Sequence, residues 1–183
     1  RADRQPDFTQ IDLEMSFVDR DAVLEIMEEF AVGLWKTELG VDIPTVQRMT
    51  YKHAMDTFGS DRPDLRYGLE LVDVSDRAAK TDFKVFTGAL EKHRGCVKAI
   101  RVPGGAASPT RQITDGSTEF VKQFGAGGLP TCKVRDAGGL VTGIAKSHPP
   151  IYEELGERLG LVQGESVFFG ADSRGTVNRA LGE

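Results

Sequence analysis

The sequence predicts an α+β protein, with helices packed on one face of a mainly antiparallel sheet. Three observations point there. Residues 8–17 alternate with a two-residue period: Ile11, Leu13, Met15 and Phe17 fall on one side, and Gln10, Asp12, Glu14 and Ser16 on the other, as a strand requires. Val23, Ile26, Met27, Phe30 and Leu34 then recur at helical spacing. From residue 82 onward, short apolar runs and helix-like segments succeed one another without internal repeat, the order expected when helices cover an antiparallel sheet.

Element by element, residues 1–6 form a loop, and Pro6 marks entry into the first strand, 8–17. Asp19 or Asp21 is placed to cap a helix running to about Lys36, because a carboxylate there accepts from open N–H groups. Gly40 and Pro44 make the connection. Thr50 caps a second helix, 51–58, and Gly59 closes it. Residues 60–64 form a turn, 69–74 are extended, and the polar stretch 75–80 separates two halves. Residues 82–86 read as short and extended. Residues 97–102 are a clearer strand, ended by Pro103, Gly104 and Gly105. A helix over 110–124 presents Phe120, Val121 and Phe124 on one side. Strands at 131–134 and 140–145 flank a turn at 136–139. A helix at 151–159 is capped by Gly160, 166–170 is a buried strand, and 174–181 is a last helix.

The chain has 183 residues, enough for one large domain or two small ones. It contains no apolar run long enough to cross a bilayer and opens on no signal peptide, so a cytoplasmic protein is expected. It starts at Arg1 without an initiating methionine, which reads as a piece of a longer protein. Residues 1–76 carry 8 Lys and Arg against 17 Asp and Glu, a net of −9; residues 77–183 carry 15 against 11, a net of +4. Such asymmetry is a sign of two domains, the second tolerant of a polyanion. The overall excess is acidic, with no basic block, which opposes non-specific binding of DNA or RNA; any tRNA contact has to come from placed groups.

Several chemistries have no support in the spacing. Cys96 and Cys132 form no CxxC pair, and His53, His93 and His148 are scattered without HExxH spacing, so no metal site is expected. Residues 125–130 break GxGxxG at the last position. Residues 138–143 span a P-loop length, but Ile144 stands where its Lys belongs. Both stretches read as turns. By pattern alone, the strand at 8–17 reads as an ordinary half-solvated strand ahead of a floor beneath a polar substrate.

The run RADRQPDFTQIDLEMSF resembles the second half of motif 2 in bacterial aspartyl-tRNA synthetases, class II enzymes that couple aspartate to its tRNA. Later stretches agree with the same family: RMTYKHAMDTFGSDRPDLRYGLELVDVSD, VFTGAL, VKAIRVPGG, ESVFFGAD and VNRALG, with residues 106–150 matching more loosely. The resemblance implies part of a class II catalytic domain over 1–76, built on an antiparallel sheet. A GAD-type insertion domain, a two-layer α/β sandwich, is implied over 77–183. It also implies the family's chemistry: aspartate is activated with ATP to aspartyl-adenylate and transferred to tRNA(Asp), either alone or together with tRNA(Asn). ATP is a substrate and Mg²⁺ serves the intact enzyme, which is expected to be a homodimer with no membrane or DNA partner. No tightly bound cofactor is expected in this chain.

The family's site residues carry over onto specific positions. Phe8 matches the phenylalanine on which adenine stacks, a flat ring offering dispersion and quadrupole attraction. Gln5 matches a position that contacts ATP. Gln10 and Asp12 match the polar floor under aspartate and adenylate, where a carboxylate suits the substrate ammonium. Arg1 and Arg4 belong to the loop that meets the tRNA acceptor end, and arginine grips phosphate bidentately. Glu14 is read as structural. The motif 2 Arg and Glu that clamp ATP, the motif 3 arginine and the Mg²⁺ carboxylates find no match, so this chain alone is expected to be inactive. A competing expectation is a non-catalytic tRNA- or protein-binding module built on residues 77–183. The same insertion domain occurs in the glutamyl-tRNA(Gln) amidotransferase, which lacks the motif 2 strand.

Overall fold

The computed structural model describes residues 7–107, 111–134, 140–141, 144, 155–156 and 158–183. The chain forms two compact units, Arg1–Arg48 and Met49–Glu183.

In the first unit a single long helix, α1 (Arg20–Leu39), follows an irregular stretch. Its start is set by Asp19, whose side chain accepts from the Ala22 N–H at 2.9 Å. Its end is set by Gly40 at φ +65°, whose N–H returns to the Lys36 carbonyl. Lys36 pairs with Asp42 at 2.7 Å, and Arg48 with Glu28 at 3.5 Å. No described residue of this unit is buried.

The strand expected over 8–17 does not form. Described residues 7–19 contain neither helix nor strand, and Phe17 sits at φ +56°, outside the extended region. A strand needs a ladder partner for its N–H and C=O groups. Among the described residues every paired strand lies at or beyond Leu71, and none pairs with this run.

The second unit is built on a five-stranded antiparallel sheet. Its strands are β1 (Leu71–Asp73), β2 (Gly95–Val102), β3 (Thr131–Val134), β4 (Leu140–Val141) and β5 (Ser166–Ser173), in the order β1-β2-β5-β3-β4. The long central pair runs Gly95 opposite Ser173 through Val102 opposite Ser166. Helices are α2 (Tyr51–Phe58), α3 (Ser75–Ala78), α4 (Lys84–Leu90), α5 (Arg111–Lys122) and α6 (Arg174–Gly182). Helical residues also occur at 155–156 and 158–159, before Gly160 at φ +58°. The expected turn at 136–139, residues 142, 143 and 145 of the expected strand, and the start of the 151–159 helix lie outside the described residues.

Alternation along β2 and β5 sorts the interior into two layers. Val97, Ala99, Val167 and Phe169 point to one side. There they join Val74, Ala78, Phe86, Cys132, Val134, Leu155 and Leu159 in one apolar cluster. Phe86 of α4 packs tilted on Phe169, with ring centroids 5.6 Å apart. The opposite side carries Cys96, Lys98 and Gly170, and α6 lies there. A Cβ on Gly170 would stand 2.9 Å from Leu181 Cδ1 and 3.0 Å from Val177 Cγ1. Helices therefore cover both faces, not one as expected. The small Gly170 opens the second face to α6, and the lysine beside it supplies a polar anchor.

A second correction concerns residues 82–86, expected to be extended. Lys84–Leu90 is helical, because Phe86, Ala89 and Leu90 at i, i+3 and i+4 give it a side that buries Phe86 and Ala89. The caps of α2 are as expected: Thr50 accepts from the His53 N–H at 3.1 Å, and Gly59 closes the helix at φ +73°.

Gly59 and Gly68 both have positive φ, but a Cβ at Gly59 would fall 2.3 Å from the Asn178 carbonyl oxygen, while at Gly68 it would meet nothing within 4 Å. Gly68→Ala should cost about 1–2 kcal/mol of backbone strain alone. Gly59→Ala should cost clearly more, since α2 must move off α6. Urea unfolding of the two variants checks this; equal midpoints would refute the close approach.

Candidate functional site

The sequence-predicted residues do not converge in the structure. Phe8 is 77% exposed, and Gln10 and Asp12 are exposed on the same irregular stretch. Their apolar neighbours Ile11 and Leu13 are exposed as well, so the alternation sorts no buried face from an open one. Arg1, Arg4 and Gln5 lie outside the described residues. Glu14 is exposed.

What the structure does bring together is a polar cluster on the α2/α6 side of the sheet. Lys98, in the middle of β2, is only 1% exposed. Its Nζ donates to the Asp56 backbone carbonyl at 2.7 Å and to Asn178 Oδ1 at 2.8 Å. The Asp56 carboxylate lies 3.9 Å from the same nitrogen. Arg174, at the start of α6, donates to Asp56 Oδ1 at 2.8 Å and to Asp73 Oδ2 at 3.2 Å. Lys52 reaches Asp56 Oδ2 at 2.5 Å from one turn earlier on α2. One carboxylate thus joins two helices and a strand.

Local sequence explains each placement. Lys52 and Asp56 are an i,i+4 pair on α2. Lys98 alternates with Val97 and Ala99, which puts it on the face opposite the apolar cluster. Arg174 begins α6 directly where β5 ends, and its N–H donates to the Arg94 carbonyl at 2.9 Å. Beside the cluster lies an open cleft of about 590 Å³, lined by Tyr51, Lys52, Asp56, Arg94, Arg174 and Asn178 among others.

Titration follows from these contacts. The hydrogen bond from Lys52, then that from Arg174, holds the Asp56 carboxyl below the usual carboxylate range against the opposing cost of burial. Burial pushes the Lys98 ammonium down from the ordinary lysine value, partly countered by Asp56. Burial likewise raises the Cys96 thiol. At the exposed turn after α2, Arg66 holds Asp64 down to about 2 through direct hydrogen bonds. The buried polar cluster was not foreseen. The available signal was a lysine flanked on both sides by apolar strand residues, in CVKAI.

A profile of the class II tRNA synthetases (D, K and N) matches residues 1–164. The chain belongs to that family. Class II synthetases attach an amino acid to tRNA with ATP and Mg²⁺, so the chain's functional context is aminoacylation. The family match spans the exposed stretch with Phe8, Gln10 and Asp12 as well as the cluster residues Asp56, Asp73 and Lys98. Arg174 and Asn178 fall beyond the matched range. Among the described residues, no group of three His, Cys, Asp or Glu side chains converges on a point where a metal ion would sit. Among them, too, no helix is long and apolar enough to cross a membrane.

The lowered Asp56 carboxyl makes a signed prediction. A carboxylate whose folded value lies below its unfolded value of 3.8 stabilises above that pH, and the stabilisation is lost as pH falls through the folded value. Asp56→Asn should therefore lower stability near neutral pH and flatten its decline below about pH 4, as read from thermal melts across that range. Lys98→Ala should cost about 3 kcal/mol by stranding the Asp56 carbonyl and the Asn178 amide. A parallel acid limb in the Asp56 variant would show that the pairs contribute nothing.

Proposed function

We propose that this chain is part of an aspartate–tRNA ligase, contributing one stretch of the aspartate and ATP site and a GAD-type insertion domain. The observation that carries the proposal is the run RADRQPDFTQIDLEMSF, read within a family match that begins at residue 1 and covers the D, K and N synthetases together. The first 76 residues would be catalytic-domain material and 77–183 the insertion domain. The compact second unit begins earlier, at Met49, and its sheet takes in β1 (Leu71–Asp73) from ahead of that boundary.

In this assignment Phe8 stacks on adenine, Gln5 contacts ATP, and Gln10 and Asp12 face the aspartate and its adenylate. Arg1 and Arg4 meet the tRNA acceptor end. Neither synthetase step needs a protein nucleophile. The substrate carboxylate attacks the α-phosphate of ATP and releases pyrophosphate, and the terminal ribose hydroxyl then attacks the acyl carbonyl and releases AMP. The enzyme supplies alignment and charge stabilisation. Asp12 suits that role because a fixed carboxylate holds an ammonium in place. The exposure of Phe8, Gln10 and Asp12 supports a surface left for other parts of the enzyme to complete. The parent enzyme is expected to be a cytoplasmic homodimer that charges tRNA(Asp).

In the parent enzyme, ATP–pyrophosphate exchange should depend on aspartate and not on lysine or asparagine. Asp12→Asn should raise the aspartate KM at least tenfold with little change in the ATP KM, a loss of about 1.4 kcal/mol or more of substrate binding. Exchange driven by lysine or asparagine would replace aspartate as the substrate. The chain of residues 1–183 alone should show no exchange, since removing even one preorganised donor costs on the order of 100-fold.

A further inference from the structure

A second cleft, of about 540 Å³, opens between α4 and the turn that leads from α5 into β3. Small-ligand sites fall in the range of roughly 300–1,000 Å³. Its lining is largely apolar, from Val85 and Ala89 of α4, Leu129 and Pro130 of the turn, and Ala171 of β5. None of its residues has a role in the aspartate assignment.

The cleft holds one cation more than its own pairs use. Lys92 and Asp172 meet at 2.5 Å and neutralise each other. Lys84, on the first turn of α4, is exposed, and its ammonium makes no hydrogen bond or ion pair among the described residues. Backbone donors line the same space. The Ala126 N–H returns to the Val121 carbonyl at 3.4 Å, and the Pro130 carbonyl accepts from the Phe169 N–H at 2.8 Å. Between these two bonds, the N–H groups of Gly127, Gly128 and Leu129 have no partner among the described residues, although Gly128 and Leu129 are half-buried. Backbone N–H groups are obligatory donors, so three successive free ones leave hydrogen-bonding capacity at the cleft wall.

The glycines of this cleft are not explained by the fold. Gly88 stands inside α4, where glycine weakens a helix relative to alanine. Gly88, Gly127 and Gly128 all lie outside the left-handed region, and a Cβ on any of them would meet nothing within 4 Å. Conformation and internal packing therefore leave each free to carry a side chain. What they share is the cleft they line, which side chains there would fill. Glycine is the residue that lets a ligand approach the backbone closely.

We propose that this cleft binds a small monocarboxylate with an apolar tail. The carboxylate accepts from the Lys84 ammonium and the free N–H groups of residues 127–129, and the tail lies over Gly88 against Val85, Ala89 and Leu129. A single negative charge fits because one cation is unpaired and the Asp172 carboxylate on the wall repels a second charge. The tail is apolar because burying it removes apolar lining from water.

The test is an NMR titration of the ¹⁵N-labelled chain of residues 1–183 with hexanoate, with hexylamine and inorganic phosphate as comparison probes. Hexanoate should shift the amide signals of Gly88, Gly127, Gly128 and Leu129 saturably, and neither comparison probe should do so at the same concentrations. Lys84→Gln should weaken hexanoate binding at least about tenfold, as loss of the one free cation requires. Gly88→Leu should abolish the shifts by filling the cleft, while its thermal stability holds or rises because leucine is the better helix former. Absence of saturable shifts with hexanoate would overturn the site. So would unchanged hexanoate affinity in folded Lys84→Gln or Gly88→Leu protein. Equal or tighter binding of phosphate would replace it with a plain oxyanion site, and equal binding of hexylamine would remove the role of charge. None of these readouts involves aspartate-dependent exchange, so their outcome is separate from that of the aspartate assignment.

Discussion

The buried ammonium of Lys98 is the contact on which the α2/α6 side of the second unit depends. Removing an ammonium from water costs several kcal/mol, and the fold tolerates it only where oxygens replace the water. Two do so at short range, the Asp56 carbonyl and the Asn178 amide oxygen. The Asp56 carbonyl lies in the last turn of α2, where carbonyls lack helical partners and carry the negative end of the helix dipole. The lysine therefore caps α2 from below while holding α6 through Asn178. Neither helix can be displaced without stranding a buried charge.

The glycines around this contact follow from it. For both helices to reach one nitrogen, their backbones have to approach closely. Gly59 faces the Asn178 carbonyl, Gly182 faces the Phe58 carbonyl, and Gly170 lies beneath Leu181 and Val177. Larger residues at these points would lift α6 from the sheet and open the hydrogen bonds to Lys98. The same closeness brings Asp56 and Arg174 within ion-pair distance and sets the walls of the neighbouring cleft. Packing and electrostatics on this face thus share one cause, and the polar surface above it inherits a fixed geometry.

Much of the helical structure was legible because its signals are local. Asp19 with Gly40, and Thr50 with Gly59, mark the ends of α1 and α2 by capping chemistry that needs no tertiary partner. β2 and β5 were legible as apolar runs, and α6 as a helix following directly on β5. The failures have a different character. Residues 82–86 are too short an apolar run for periodicity to separate helix from strand, and Phe86 became helical because its ring packs on Phe169. The placement of α6 on the second face was hidden because it turns on a missing side chain at Gly170. The role of Lys98 was invisible for a related reason: charge alone suggests a solvated surface, and only the pairing of β2 with β5 and the arrival of Asn178 show otherwise.

The stretch 8–17 makes the sharpest case, because its pattern is clear and its structure is not a strand. Alternation records which side of a chain meets apolar neighbours and which meets polar ones; it does not supply those neighbours. α1 carries the same message in helical form. Leu24, Phe30, Leu34 and Trp35 are each 39–45% exposed, and none is buried. An apolar helix side and an alternating strand are both halves of contacts, and the first unit contains no described residue that completes either. The second unit is the opposite: its apolar cluster is closed by its own β2, β3, β5 and α4, so its elements took the forms their local signals allow. The roles proposed for Phe8, Gln10 and Asp12 rest on residue identity, whereas the polar cluster around Lys98 forms where its partners, Asp56 and Asn178, are present.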